Sequence, residues 1–139
     1  MRVVIDTNVW VSALINPNGT PAKIIHYPAT FEVLTSPAIL GELERVLHYD
    51  RIKKRYHLTD AVINAYLDAV RLDSLRIDVT QQVNAVARDS DDNMVLACAV
   101  QGKADYVVSG DPHLVDMVNY QGIPILIPGA FLAEIERQG

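Results

Sequence analysis

The sequence predicts an α/β fold built on a parallel sheet of about five strands. Three observations carry this reading. Short apolar runs alternate with segments of helical periodicity, the pattern of strand–helix–strand units. Helix-start signals recur between them: Thr20-Pro21, Ser36-Pro37 and Thr59-Asp60 each place a capping residue before a good first helical position. Two of the apolar runs end in an acidic residue, Val3-Val4-Ile5 at Asp6 and Tyr106-Val107-Val108-Ser109-Gly110 at Asp111. That is the arrangement found where ligands bind beyond the carboxyl ends of parallel strands.

Taken in order, the first strand is Arg2–Ile5, followed by a helix from about Asn8. Asn16-Pro17-Asn18-Gly19 interrupts it as a turn. Thr20 caps the next helix, which runs to about Tyr27. The second strand is Phe31–Leu34. Ser36 caps a helix whose apolar stripe is Ile39, Leu40, Leu43 and Leu47. A basic connector leads to Thr59, the cap of a helix reaching about Leu72 with Val62, Ile63, Tyr66, Leu67 and Val70 inward. The third strand lies near Leu75–Ile77. Asp89-Ser90-Asp91-Asp92 opens an apolar helix, the fourth strand is Asp105–Ser109, and Asp111-Pro112 starts a short helix to about Val118. The fifth strand is Pro124–Leu126, and a last helix ends near Arg137. There are no repeats or linkers, so residues 1–139 read as a single domain.

Composition narrows the class. The 139 residues are 50% hydrophobic and 21% charged, which excludes a disordered chain. No apolar stretch reaches the roughly 18 residues of a membrane span. Met1-Arg2 leads straight into a strand without a signal-peptide core, so the expectation is a cytoplasmic protein with no membrane partner. The single Cys98 lies on an apolar helix face and reads as core. The net charge of −5 is unlike a nucleic-acid binder's. Bound cations would offset acids gathered in a site, however, and Arg45, Arg51, Lys53, Lys54 and Arg55 cluster within a short stretch. That cluster reads either as a solvated helix face or as a patch contacting RNA phosphates.

The acids carry the chemistry. Asp6, Glu42, Asp92 and Asp111 each stand where a strand ends or a helix is anchored. Gathered in one cleft they would repel each other without a positive charge between them. Oxygen ligands without thiolates, and without His at ligand-pair spacing, point to a hard divalent ion, Mg²⁺ or Mn²⁺. Metal-dependent phosphodiester chemistry follows. Each acid also has a plainer reading. Asp6-Thr7-Asn8 suits a helix start, although Thr7 and Asn8 could equally hold the Asp6 carboxylate or a bound water. Glu42 lies beside the apolar stripe, with Glu44 as a more solvent-facing rival. Capping and the helix dipole explain one or two acids among Asp89, Asp91 and Asp92, whereas three would repel. Asp92 is the ligand candidate and Asp91 a cap or a support. Asp111-Pro112 suits a cap, Gly110 would let backbone approach a phosphate, and Ser109 could support a metal-bound water.

Four separated motifs, in this order, resemble the PIN-domain family. They are Asp6-Thr7-Asn8, Glu42 within a helix, Asp91-Asp92-Asn93 opening an apolar Ala-rich helix, and Ala104-Asp105-Tyr106-Val107-Val108-Ser109-Gly110-Asp111. The chain is most similar to the branch described as toxin components of toxin–antitoxin systems. The resemblance implies a three-layer α/β/α sandwich and Mg²⁺- or Mn²⁺-dependent endoribonuclease activity. It places Asp6, Glu42, Asp92 and Asp111 at the family's acidic positions, with Thr7 or Asn8 and Ser109 at its supporting polar positions. It implies homodimers and a small antitoxin protein as partner. One departure bears on the fourth ligand: His113 stands where some relatives carry a further acid.

Three other classes share some of these features. A phosphatase or phosphotransferase with Asp6 as nucleophile would want a second Asp where Asn8 stands. A receiver-like signalling domain would want a Lys after a late strand, and none closely follows Val108 or Leu126. A non-catalytic PIN-type binding module would use the fold without the chemistry.

Overall fold

The computed structural model describes residues 1–28, 31–80 and 90–138. Fourteen elements follow in chain order: β1 (Arg2–Ile5), α1 (Thr7–Ile15), α2 (Thr20–Ile25), β2 (Glu32–Thr35), α3 (Pro37–Leu47), α4 (Asp50–Arg55), α5 (Asp60–Asp73), β3 (Ser74–Arg76), α6 (Ser90–Gln101), β4 (Tyr106–Val108), α7 (Pro112–Val115), β5 (Asn119–Tyr120), β6 (Ile123–Leu126) and α8 (Pro128–Gln138).

The strands form one six-stranded sheet in the order β3-β2-β1-β4-β6-β5. Every pairing is parallel except β5 with β6. The chain runs outward from β1 through β2 to β3, then returns to the other side of β1 as β4. Strand order therefore reverses between β1 and β4, the switch point at which open α/β sheets bind ligands beyond the carboxyl ends of their strands.

The α/β/α architecture follows from the two-residue period of the strands. In β1, Val3 and Ile5 point into one core with Trp10, Leu43, Leu67 and Phe131. Val4 points the other way, into a second core with Leu34, Ile39, Leu96 and Cys98. Val107 and Val108 of β4 divide in the same manner. Helices α1, α5 and α8 cover the first face and α6 the second. α3 serves both cores: Ile39 joins the second, Leu43 and Leu47 the first. Each such fully buried aliphatic side chain contributes about 1.5–3 kcal/mol.

Several sequence expectations shift. The sheet has a sixth strand, β5, too short to show a pattern. Its hairpin to β6 turns on Gln121 and Gly122, whose φ angles of 49° and 81° both lie in the left-handed region that a two-residue primed turn requires. The basic connector is the short helix α4, none of whose residues is buried. Gly19 rather than Thr20 occupies the cap position of α2. Val62, expected inward, is 45% exposed, because the stripe of α5 that meets the core is Ile63, Leu67 and Val70. The expected caps of α3 and α5 are present: Ser36 Oγ accepts from the Ile39 amide and Thr59 Oγ1 from the Val62 amide, both at 3.2 Å.

Candidate active site

The candidate site is built at the carboxyl ends of β1 and β4. Parallel register sets Ile5 beside Val108, so Asp6 and Ser109 leave the sheet side by side. The Asp6 amide donates to the Val108 carbonyl at 2.9 Å, extending the ladder by one bond. Asp6 occupies the cap position of α1, yet its carboxylate makes no capping hydrogen bond. Instead its Oδ2 accepts from Ser109 Oγ at 2.7 Å. Ser109 Oγ in turn accepts from the Asp111 amide at 3.0 Å. One buried hydroxyl thus fixes the Asp6 rotamer and ties it to the loop bearing Asp111. Of the two readings open for Asp6, the capping one fails.

Asp111 behaves differently. Its Oδ1 accepts from the His113 amide at 2.9 Å, so it does cap α7. It is half-buried. Gly110 has ordinary φ, and a Cβ there would meet nothing within 4 Å, so packing within the chain does not require glycine at this position. Thr7 is 5% exposed and Asn8 is exposed. His113 is exposed too.

Two helices bring the remaining acids. α6 ends four residues before the start of the parallel strand β4 and packs on β1 and β4. Its first turn therefore lies toward the carboxyl end of the sheet, carrying Asp92, which is 3% exposed. Asp89 and the Asp91 side chain lie outside the described residues. α3 leaves the carboxyl end of β2 and packs against α1 and α6. Its second turn carries Glu42, 9% exposed, whereas Glu44 is exposed. Burial decides between those two glutamates as candidates.

Asp6, Glu42 and Asp92 are the buried carboxylates among the described residues. A buried carboxylate is unfavourable unless hydrogen bonds or a positive charge compensate it. Ser109 supplies part of this for Asp6. For Glu42 the compensation is Arg45, whose guanidinium pairs with Oε2 from one turn further along α3. Sequence reading placed Arg45 with the phosphate-contacting basic residues and missed this pairing. The i, i+3 spacing was the available signal.

The other basic residues divide. Lys53 pairs with Asp60 and holds that carboxyl below its usual range. Arg51, Lys54 and Arg55 are exposed on α4, and Arg55 stands over the Tyr56 ring at 5.5 Å from its centre. Cys98 is fully buried, which pushes its thiol up to about 12 and removes it from nucleophilic chemistry.

The donor chemistry of the edge, carboxylate and hydroxyl oxygens, fits a hard divalent cation such as Mg²⁺ or Mn²⁺. As they lie, no three His, Cys, Asp or Glu side chains among the described residues stand close enough to hold a metal ion. Asp6, Ser109 and Asp111 form one hydrogen-bonded unit. Glu42 and Asp92 are carried to the same side of the fold by α3 and α6, which pack against each other.

With the fold and this edge in view, the comparisons with known proteins are direct. A profile of the PIN domain matches residues 2–113. The uncharacterised protein MJ1680 of Methanocaldococcus jannaschii is 33% identical over 147 residues, covering 99% of this chain and 93% of that protein. The chain belongs to the PIN-domain family. Among solved structures, VapBC2 from Rickettsia felis, bound to a DNA fragment from its promoter, superposes with a TM-score of 0.64 at 13% identity, over 91% of this chain and 98% of that one. PAE2754 from Pyrobaculum aerophilum gives 0.64 at 14% identity, over 99% and 90%. VapC20 of Mycobacterium tuberculosis, described as a toxin that cleaves the sarcin–ricin loop, gives 0.58 at 16% identity, over 88% and 98%. At these identities the likeness is one of fold. No helix among the described residues is long and apolar enough to cross a membrane.

Proposed function

We propose that this chain is a metal-dependent endoribonuclease of the toxin type, acting in the cytoplasm. The observation that carries the reading is Asp6: a buried carboxylate at the strand-order reversal, turned away from the helix it could cap and fixed by Ser109 instead. A fold spends a buried charge in this way where the charge has work to do. The likeness to VapC20 supports RNA as the substrate class.

In this reading Asp6, Asp92, Glu42 and Asp111 hold Mg²⁺ or Mn²⁺. The cation would neutralise charge developing on a scissile phosphate and lower the pKa of a water. The chain's own residues do the rest. Ser109 locks Asp6 in one rotamer and couples it to the Asp111 loop. Thr7 and Asn8 are the polar neighbours available to orient ligands or water, and Asp91 keeps the supporting role that its place in the sequence suggests. Arg51, Lys54 and Arg55, on a helix seated in neither core, contact backbone phosphates without reading bases. A small antitoxin that covers the edge is the expected protein partner, and a homodimer the expected assembly.

A second reading has one observation in its favour. The described carboxylates are not gathered into a metal cluster, as suits a PIN module that binds RNA or protein without cutting. Cleavage of total RNA in Mn²⁺, comparing the wild type with Asp92→Asn purified in parallel, separates the two. Cleavage by the wild type alone, abolished by EDTA, is the expected result. Equal cleavage by both proteins would remove Asp92 from the site, and no cleavage together with no Mn²⁺ effect on melting would favour the binding module.

A further inference from the structure

We propose that Arg45 is a built-in counter-ion that holds Glu42 until a divalent cation displaces it, and that the displaced guanidinium then engages the phosphate of the substrate. The inference rests on the metal-nuclease reading and adds to it a positioning residue that competes with the metal.

The Glu42–Arg45 ion pair is asymmetric. The Glu42 side chain is 10% exposed and that of Arg45 58% exposed. Glu42 is confined between Ile39 and Leu43, which are 1% and 0% exposed and anchor α3 in both cores. Its carboxylate can turn but cannot leave. Arg45 reaches inward from the surface along a flexible stem, and its head can swing away without disturbing the core. Whatever separates this pair moves the arginine.

Sharing is unfavourable. Arg45 engages Glu42 at Oε2, and a cation ligated at Oε1 of the same carboxylate would stand within a few ångströms of a guanidinium of like charge. A divalent ion carries twice the charge of the guanidinium and replaces it. The released guanidinium is a planar, two-pronged donor suited to phosphate oxygens. The neighbouring helix α4, which packs on α3, carries exposed Arg51, Lys54 and Arg55. Arg45 then neutralises Glu42 without metal and the substrate's phosphate with it.

The bland alternative is a half-exposed surface pair of small consequence. The sign of one effect distinguishes them. Losing a mere surface pair leaves metal affinity unchanged, whereas losing a competitor tightens it.

The test uses the full chain as wild type, Arg45→Gln and Arg45→Lys. Mn²⁺ binding is titrated calorimetrically without RNA, and melting is recorded in EDTA and in saturating Mn²⁺. Arg45→Gln is expected to bind Mn²⁺ roughly three- to tenfold more tightly than wild type. It should melt lower in EDTA and gain more on adding Mn²⁺. Arg45→Lys, which keeps the charge but loses the fork, should fall between, and carries the test if the Gln variant does not fold. With RNA, Arg45→Gln should raise KM more than it lowers kcat. Unchanged or weaker Mn²⁺ binding in these variants, with normal binding by the wild type, overturns the competitor role alone. A wild type that neither binds Mn²⁺ nor shifts its melting overturns the metal reading, and the competitor role with it.

Discussion

The acids of this candidate site arrive by two routes, from strands and from helices, and the two routes hold them differently. Asp6 and Asp111 follow β1 and β4, where parallel register and the shared hydroxyl of Ser109 fix them through hydrogen bonds of 2.7 and 3.0 Å. Glu42 and Asp92 project from α3 and α6, where packing buries them and, for Glu42, an exposed arginine neutralises the charge. The strand side is pre-organised. The helix side can be rearranged by a swap of partners. A cation would therefore bind first against a rigid half and recruit an adjustable one, so the two halves should respond differently to substitution.

The largest effect belongs to the rigid half. Asp6→Asn keeps the size and an acceptor for Ser109 but removes the charge. Cleavage should fall about a thousandfold. In EDTA the variant should melt higher than wild type, because a buried charge is gone, and the gain from Mn²⁺ should vanish. Activity within a few-fold of wild type would make the Asp6–Ser109 unit a structural feature and break the comparison at its strongest point.

Ser109→Ala comes next. It leaves every carboxylate in place and removes the hydroxyl that orients one of them. Losses of about 10- to 100-fold in activity or Mn²⁺ affinity are typical of such supporting partners. The comparison sharpens here, since Glu42 has no equivalent hydroxyl tether among its described contacts. Melting scans and Mn²⁺ titrations of Ser109→Ala beside Arg45→Gln should show opposite signs in metal affinity. Shifts in the same direction would mean that both halves are held alike.

How much of this was legible in the sequence depends on the same division. The strand-borne acids announce themselves, because an apolar run ending in Asp before a helical pattern is a local signal. That signal could not decide between ligand and cap, and the two places differ in the structure: Asp6 makes no capping bond and turns to Ser109, while Asp111 caps α7. Glu42 was legible through its phase beside Ile39 and Leu43, but its pairing with Arg45 depends on side-chain conformations that spacing only permits. β5 escaped because two residues carry no period, and its turn is defined by the φ angles of Gln121 and Gly122. Val62 was misplaced because a stripe drawn too wide on α5 swept in a residue one step off the core face. The other five strands and the ends of β1 and β4 that bear Asp6 and Asp111 depend on apolar runs and the residues that close them, and those were readable.

The smallest effect comes from separating the two roles of Asp111. Its Oδ1 accepts from the His113 amide, a bond that Asn can replace and Ala cannot. If capping is all that Asp111 does, Asp111→Asn should match wild type in both melting and cleavage, while Asp111→Ala loses about 1 kcal/mol of stability. If Asp111 also ligates the cation, Asp111→Asn should melt like wild type in EDTA yet lose activity and part of its Mn²⁺ response. A strand-borne half that holds the cation requires the second pattern. Because Ser109 joins Asp6 to the Asp111 backbone, Asp111→Ala should in addition loosen Asp6, so its activity should fall below that of Asp111→Asn even where Mn²⁺ saturates both. An Ala variant as active as the Asn variant would show that the cap and the Asp6 unit are independent, and that the hydrogen bond from the Asp111 amide to Ser109 transmits nothing.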